Sequence, residues 1–465
     1  MKIRLVALGS TLVVIQLGIA LPAPPPPSLQ ITMLPGVPIS TDEPGADHVE
    51  SWLAVNPRDS RNLIAASMVL GGPSVVAVYS SRDGGKTWAR ATHGSKKNPV
   101  FDGLDPAATF DSDGTAYFLS AGDSLSVWKS SDGGRTWGEG VIVPGRAWDR
   151  PFLAVAPSGP ERSARFHVAG KLPIKVFGHV AEDVIGVSTS EDGGASFRFP
   201  RLILPAPEKE LLNVVGDLAI ASDGALVLAL QLFPPQDLRA PLLGGWYSTI
   251  RSTDGGRTFS EPRRAAGLRV YGHGWEGKSL LGLGGGRLAA DTSRSPTRGR
   301  LYLAWLDVVD GFFQVMAAAS ADGGITWSAP VRVNDNRSPS DASNPAIAVN
   351  DEGVVGITWN DRRADESGRC FQVSFAASAD GAASFSANQR VSEDRTCPIG
   401  KDAGDPVESE FRFKNGGDTQ GLVGLPGGGF HIAWINGASG KMQLWSTAVS
   451  VEMAGPGSRR VTSRR

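Results

Sequence analysis

Three segments of the chain combine aromatic side chains with carboxylates and arginine, the groups that a carbohydrate site needs. Aromatic faces stack on sugar rings, arginines pair with acidic groups, and two carboxylates can share general acid and base catalysis. The candidates in these segments are Trp148, Asp149, Arg150, Trp246, Tyr271, His273, Trp275 and Glu276. We expect Glu276 and Asp149 to form the catalytic pair if the protein is an enzyme, and the others to bind the ligand. Packing inside the fold is the alternative role for each aromatic residue.

Residues 361–366, which read Asp-Arg-Arg-Ala-Asp-Glu, are a further candidate. Arg362 and Arg363 would bind an acidic ligand if their guanidinium groups face solvent, because the planar guanidinium matches a carboxylate. The alternative is a solvated loop whose charges pair with one another.

An octapeptide recurs six times and indicates the elements that must position these residues. The first copy is Ser-Arg-Asp-Gly-Gly-Lys-Thr-Trp, and its aspartate recurs at intervals of 49 to 68 residues. The copies span residues 81–88, 130–137, 190–197, 252–259, 320–327 and 378–385. Glycine supplies the positive φ of a tight turn, and Asp and Ser oxygens accept hydrogen bonds from its N–H groups. We therefore expect each octapeptide to be a structural turn whose aspartate is not catalytic.

Upstream of each octapeptide, two short apolar strands flank a Gly- or Asp-rich turn, as in residues 107–119 and 346–359. The pattern returns a seventh time at residues 420–434, followed by an apolar strand but by no octapeptide. Such spacing indicates one supersecondary unit per repeat. The sequence predicts an all-β fold, a β-propeller of four-stranded antiparallel blades. Seven blades are favoured, with residues 29–34 as the outer strand of the last blade, and six is the alternative.

The octapeptides resemble the Asp-box, or BNR, repeats of the sialidase/neuraminidase superfamily, over almost all of the chain after its N-terminal segment. The resemblance implies a propeller that binds, and in an enzyme hydrolyses, extracellular glycans. It does not extend to the sialidase catalytic motifs, because the first inner strand reads Glu50-Ser51-Trp52 without Arg or Pro, and no tyrosine follows Tyr302. Three functions therefore stay open: glycan binding, glycoside hydrolysis of the exo-α-sialidase or another type, and a non-catalytic protein-interaction scaffold.

In a propeller of this kind the octapeptides share one face, and ligands meet the loops of the opposite, upper face. Aspartates recur beside the predicted starts of the inner strands and would ring the mouth of the central channel on that face. They are Asp105, Asp149, Asp217, Asp341 and Asp418. We expect them to cap turns, with calcium binding as the alternative.

The N-terminus has the features of a secretory signal, namely two basic residues, an apolar run from Leu5 to Ala20, and small residues before a cut after Ala20 or Ala23. We expect residues 1–23 to be a signal peptide, 24–28 a Pro-rich linker, 29–450 the propeller domain and 451–465 a disordered basic tail. The protein would be secreted or periplasmic, without a membrane span after cleavage. An uncleaved anchor is the alternative. In such a compartment Cys370 and Cys397 would form a disulfide.

Charge and composition argue against several partners. The chain has 46 Lys and Arg against 47 Asp and Glu, so no broad basic surface is expected to attract nucleic acid. Its 6 His are scattered, and its 2 Cys fit no metal-site spacing. We expect no cofactor and no metal, an extracellular glycan or glycoconjugate as the partner, and a monomer.

Overall fold

The structure is a computed structural model that describes most of the chain after residue 28. The described residues are 29–71, 75–93, 101–122, 124–156, 164–176, 179–203, 211–234, 236–237, 239–272, 286–337, 339–397 and 415–453. They form 32 strands and contain no α-helix, so none of these residues belongs to a helix that could cross a membrane.

The first strands of the chain build the first two blades, apart from β1 (Leu29–Met33) and β2 (Val37–Pro38), which belong to the last blade. Blade 1 contains β3 (Asp47–Asn56), β4 (Asp59–Leu70), β5 (Val75–Ser81) and β6 (Ala89–Arg90). The two-residue strand β7 (Thr92–His93) follows, and β8 (Phe101–Asp102) pairs with β5. Blade 2 contains β9 (Leu104–Phe110), β10 (Ala116–Ala121), β11 (Leu125–Ser130) and β13 (Val141–Val143), and β12 (Thr136–Trp137) pairs in parallel with β7.

The next four blades repeat the same order, with the first strand innermost and antiparallel neighbours following outward. Blade 3 contains β14 (Asp149–Ala156), β15 (Arg165–Val176), β16 (His179–Ser190) and β17 (Arg201–Ile203). Blade 4 contains β18 (Leu211–Ile220), β19 (Leu226–Phe233), β20 (Leu242–Ser252) and β21 (Arg263–Tyr271). Blade 5 contains β22 (Arg287–Ala290), β23 (Leu301–Val309), β24 (Phe312–Ser320) and β25 (Val331–Arg332). Blade 6 contains β26 (Ala342–Val349), β27 (Val355–Asp361), β28 (Gln372–Ser378) and β29 (Gln389–Arg390).

Blade 7 closes the ring by joining the two ends of the described chain. It contains β30 (Gly421–Gly424), β31 (Phe430–Asn436) and β32 (Gln443–Met453), and β1 supplies the outer strand. The antiparallel register runs from Leu29 opposite Met453 to Met33 opposite Val449. The seven-bladed, all-β propeller predicted from the repeats is therefore confirmed, including the use of an N-terminal strand for closure. Strand β32 extends to Met453, three residues beyond the end expected for the propeller at residue 450.

Each octapeptide begins at the last residue of the third strand of its blade and forms the turn to the outer strand, as expected. In all six copies the Ser hydroxyl donates to Oδ1 of the Asp at 2.7 to 2.8 Å. The second carboxylate oxygen accepts the Thr or Ser hydroxyl four residues later at 2.5 to 2.7 Å. In the third copy the hydrogen bond from Ser196 lowers the pKa of Asp192 to about 2. These carboxylates are occupied within their own turns, so they have a structural role.

The core consists of apolar clusters between neighbouring blades, and the described residues contain one cluster at each of the seven contacts. The last contact joins Ala433, Ile435 and Leu444 of blade 7 to Leu53, Ala65 and Tyr79 of blade 1. The octapeptides also reach across these contacts. For example, Asn62 of blade 1 donates to the Gly133 carbonyl in the octapeptide of blade 2 at 2.9 Å. This packing holds the inner strands in a fixed ring around the axis.

The cysteine pair lies in blade 6. Cys370 and Cys397 form a disulfide with their Cα atoms 4.2 Å apart. An antiparallel bridge between Phe371 and Thr396 continues the link, and the Thr396 hydroxyl accepts a hydrogen bond from the Gly437 N–H in blade 7 at 3.0 Å.

Candidate functional site

The inner strands begin at the upper face, opposite to the octapeptides, and their first residues surround the channel axis. One cavity is lined by residues of β3, β9, β14 and β22 and by the segment that precedes β30. These elements belong to blades 1, 2, 3, 5 and 7, which can approach one another only near the axis. The cavity therefore lies at the upper mouth of the channel, and we call it the channel-mouth cavity. Its charged lining residues are Glu50, Asp105, Arg150, Arg287 and Asp418.

An irregular backbone conformation brings several of these residues to the cavity. Glu50, Asp105 and Arg150 have positive φ angles of 58°, 48° and 49°. The ladder register shifts beside Glu50 and beside Arg150, as it does at a β-bulge. Such bulges re-aim a side chain, and the left-handed conformation costs about 1–2 kcal/mol per non-glycine residue. Asn344 at the start of the inner strand of blade 6 has the same conformation, with a φ of 51° and a register shift beside it. The bulge therefore recurs in four blades as a feature of the inner strands, and in blades 1, 2 and 3 it brings a charged residue to the cavity.

Arg150 is held in place by acidic neighbours from two other blades. Its guanidinium group forms an ion pair with the Asp418 carboxylate, and its backbone N–H donates to Oδ2 of Asp105 at 3.1 Å. Burial opposes the charged form, but Asp418 and the other nearby carboxylates raise the pKa of Arg150 above its usual value. Arg150 is therefore a fixed positive charge at the mouth of the channel.

Arg287 is the second buried arginine of the cavity, and it is incompletely paired. Its side chain is almost fully buried, with 5% of the residue exposed. Nη2 donates to the Asp418 carbonyl at 3.1 Å, and the guanidinium carbon lies 5.1 Å from the centre of the Phe152 ring. Nη1 is buried and has no hydrogen-bond partner among the residues that the structure describes. An unpaired buried donor costs about 1–3 kcal/mol, and more for a charged group, so this nitrogen is a hydrogen-bond donor that the described residues leave unsatisfied.

Asp217 approaches Arg287 across the contact between blades 4 and 5. Its Oδ1 accepts the Leu218 N–H at 2.7 Å, and its Oδ2 accepts the Leu288 N–H at 3.3 Å. Burial raises the pKa of Asp217 to about 6, and the positive charge of Arg287 acts in the opposite direction. This carboxyl therefore changes its charge near neutral pH, beside an arginine of the cavity.

Two aromatic residues also line the cavity. The Trp52 and Phe152 rings lie 6.0 Å apart between centres, and Phe152 is also a neighbour of Arg287. The Trp52 indole donates to the Ala108 carbonyl at 2.9 Å, which fixes its orientation. An apolar wall beside two arginines suits a ligand that has an acidic group on a ring with an apolar face.

The cavity itself is small, with a volume of about 30 Å³. That volume holds about two water molecules. It accommodates one functional group, such as a carboxylate, while the remainder of a ligand would lie above the mouth.

Among the residues selected from the sequence, Arg150 lines this cavity. Trp148 does not present the exposed face that we expected, because only 4% of it is exposed and it packs in the cluster between blades 2 and 3. Its indole donates to the Pro144 carbonyl at 3.3 Å. Trp148 is therefore explained by packing between the two blades.

Three other selected residues contact the protein away from the cavity. The exposed Asp149 carboxylate lies 3.3 Å from the Lys171 ammonium. The Arg264 guanidinium carbon lies 5.0 Å from the centre of the half-buried Trp246 ring. Tyr271 donates its hydroxyl to the Gly311 carbonyl at 2.6 Å and packs edge-on against Phe313.

The two arginines of the loop after β27 contact other parts of the protein. Arg362 is only 1% exposed and donates to the Ser343 hydroxyl at 2.9 Å and to the Asn415 amide oxygen at 2.6 Å. Arg363 pairs with Asp361 and Asp335, at 2.8 and 2.6 Å. Only the pair of Arg363 and Asp361 fits the alternative of charges that pair within the loop, because Arg362 is buried against neutral side chains. Both guanidinium groups have partners in the protein, so we do not include the loop in the site. His273, Trp275 and Glu276 lie outside the described residues.

Sequence reasoning missed Trp52, Phe152 and Arg287 as site residues. A signal was present, because Glu50-Ser51, Asp105-Pro106 and Arg150-Pro151 each place a charged residue just before an apolar inner strand. Asp105 and Asp418 do reach the channel mouth, as the recurrence of aspartates predicted.

Within the described ranges, no group of three or more His, Cys, Asp or Glu side chains is arranged to hold a metal ion.

Comparison with known proteins establishes the architecture. No protein-family model and no curated protein matches the chain. A PL25 ulvan lyase superposes with a TM-score of 0.52 at 11% identity, covering 90% of this chain and 96% of that one. A protein of unknown function from Dyadobacter fermentans matches with a TM-score of 0.46 at 12% identity, covering 91% and 99% of the two chains. A Trypanosoma rangeli sialidase matches with a TM-score of 0.38 at 14% identity, covering 90% and 58%. The similarity to the lyase is one of fold alone.

Proposed function

We propose that this protein binds an acidic glycan at the upper mouth of its central channel, with a carboxylate of the ligand seated between Arg287 and Arg150. The observation that carries the proposal is that Arg287 lines a cavity of a carboxylate's size and that its buried Nη1 has no hydrogen-bond partner among the described residues. A carboxylate would satisfy this donor and form a charge-assisted hydrogen bond, which is about twice as strong as a neutral one. Trp52 and Phe152 would contact the sugar ring.

The ligand class follows from the mixed charge of the cavity. Arg150 already pairs with Asp418, so a large polyanion would meet the negative charges of Glu50 and Asp105. A single carboxylate on a neutral sugar framework fits better, because its hydroxyls can donate hydrogen bonds to those acidic side chains.

Glycoside hydrolysis is the second candidate, because the carboxylates of Glu50, Asp105 and Asp418 line the same cavity as the two arginines. Glycosidases use two carboxyl groups that flank the bond to be cleaved. Incubation with each bound glycan, followed by measurement of released reducing ends, tests this function. Release that is lost in the Glu50→Gln variant while binding persists would support it.

The location proposed for the protein is outside the cytoplasm, as a secreted or periplasmic protein. The disulfide between Cys370 and Cys397 supports an oxidising compartment. Fractionation of the producing cell, with the mass of the mature chain determined, tests this location.

A glycan array tests the binding function when each carboxylated glycan is paired with its carboxyl-reduced analogue. We expect binding to the carboxylated members, with affinity reduced at least about tenfold by Arg287→Lys because lysine lacks the planar pair of donors. Arg263→Ala is the matched control, since Arg263 is exposed on the outer strand of blade 4. Equal binding to reduced and carboxylated glycans would contradict the proposal.

A further inference from the structure

We propose that Asp217 is a positioning residue of this site, which competes with the bound carboxylate for Arg287 and thereby makes ligand binding depend on pH. The inference rests on the proposed function and concerns its regulation. Its basis is that the Asp217 carboxylate of blade 4 lies beside the incompletely paired Arg287 guanidinium group of blade 5.

The geometry keeps Asp217 close to Arg287 without occupying its free nitrogen. The Leu288 N–H, which belongs to the residue after Arg287, donates to Asp217 Oδ2 at 3.3 Å. Asp217 is thus tied to the strand that carries the arginine. Nη1 nevertheless has no hydrogen-bond partner within the described part of the chain, so the carboxylate acts on it through charge.

The charged neighbours of this pair come from several blades. Arg287 interacts electrostatically with Asp217, Asp418, Arg150 and Tyr247. Among these, Asp418 also pairs with Arg150 and is thereby neutralised in part. Among the described residues, Arg287 is the charged group that acts on Asp217. The charge balance around Arg287 therefore depends strongly on whether Asp217 carries its proton.

Protonation of Asp217 removes one negative charge from beside the ligand site. The attraction between Arg287 and a bound carboxylate then increases, and the repulsion between the two carboxylates disappears. The pKa of Asp217, raised to about 6 by burial, places this change in the range from pH 5 to pH 7. Affinity should rise as the pH falls through that range, and by linkage a bound anion should raise the pKa of Asp217 further.

The test is a calorimetric titration with a disaccharide that ends in glucuronic acid, at pH 5 and at pH 8. The probe remains ionised at both values, because an ordinary carboxyl group has a pKa near 4 or below. We expect wild-type affinity to be about tenfold higher at pH 5, a typical size for coupling between sites. Asp217→Asn should bind equally at both pH values and about as tightly as the wild type at pH 5. Asp223→Asn, on the octapeptide face of the same blade, should keep the wild-type pH response.

A second measurement uses the wild type alone and so does not depend on the folding of a variant. Titration at pH 6.5 in buffers of different ionisation enthalpy measures proton uptake, which should be about half a proton per ligand for a tenfold coupling. Absence of uptake, or a pH response that persists in Asp217→Asn, would overturn the role of Asp217 while the glycan site stands. Absence of binding at both pH values, or binding unchanged in Arg287→Lys, would overturn the site itself and this inference with it.

Discussion

Buried ionisable side chains define both the site and the acid sensitivity of the fold. Burial lowers the pKa of His431 to about 4 and that of His48 to about 4, although Glu43 acts in the opposite direction on His48. Burial also lowers the pKa of His167 to about 3, and Arg165 adds to this effect. The unfolded chain binds protons near pH 6.5, where these folded side chains stay neutral. The contribution of these histidines to stability is therefore complete above about pH 6.5 and is lost as the pH falls towards 4.

A single substitution tests this account of acid sensitivity. His431 packs against Trp88 at 6.2 Å between ring centres and is almost fully buried. The wild type should lose more unfolding free energy than His431→Gln when the pH is lowered from 7 to 4.5. We expect the difference between the two losses to be about 2 kcal/mol. Urea denaturation at the two pH values measures the difference, with pH 7 as the reference for any change that is independent of protonation. Parallel pH curves for variant and wild type would refute the role of His431.

At the scale of elements, the octapeptides join each blade to the one before it, and this explains why their glycines are needed. Gly84 and Gly85 are neighbours in the first octapeptide, with φ angles of 77° and 82°. A β-carbon on Gly84 would have open space, whereas one on Gly85 would lie 2.6 Å from Nε2 of His431 in blade 7. The two positions share the same backbone strain and differ in packing.

The pair Gly84→Ala and Gly85→Ala separates strain from contact. We expect Gly84→Ala to lower the unfolding free energy by about 1 kcal/mol, from positive φ alone. Gly85→Ala should cost about 3 kcal/mol, because the His431 ring must also shift in a packed contact. Denaturant unfolding measures both. Equal costs would mean that the octapeptide does not depend on close packing against the preceding blade.

Elements were predictable from the sequence to the extent that they repeat. The octapeptides and the apolar strands before them specified the blades, because turn chemistry and strand alternation are local properties.

The site was predicted only in part. The bulges at Glu50 and Arg150 decide which side chains enter the channel, and they depend on pairing with neighbouring strands. Trp148 was selected for the site because it lies outside the repeat, but it is buried in the cluster between blades 2 and 3.

At the scale of the whole molecule, β1 closes the propeller and links the two ends of the described chain. Ile31 is half-buried against the cluster between blades 6 and 7, and the adjacent Thr32 is exposed. The two residues lie opposite Val451 and Ser450 in β32. Their side chains point to opposite faces of the same strand, so they form a matched pair for testing the closure.

Ile31→Asp should weaken the closure, and Thr32→Asp should not. We expect Ile31→Asp to lower the unfolding free energy by about 2 kcal/mol, because a charge replaces apolar contact at the last blade. Thr32→Asp should change it by about 0.5 kcal/mol or less. Thermal unfolding and limited proteolysis within blade 7 would report the difference. Equal stability of the two variants would contradict a structural role for β1.

The central claim is that the upper channel mouth binds a carboxylated glycan through Arg287, and a crystal structure with the tightest-binding array glycan tests it most directly. We predict a ligand carboxylate within about 3.2 Å of Arg287 Nη1, the distance of a hydrogen bond, with the sugar ring above Trp52 and Phe152. A ligand bound at the octapeptide face, or one whose carboxylate points away from Arg287 and Arg150, would contradict the account.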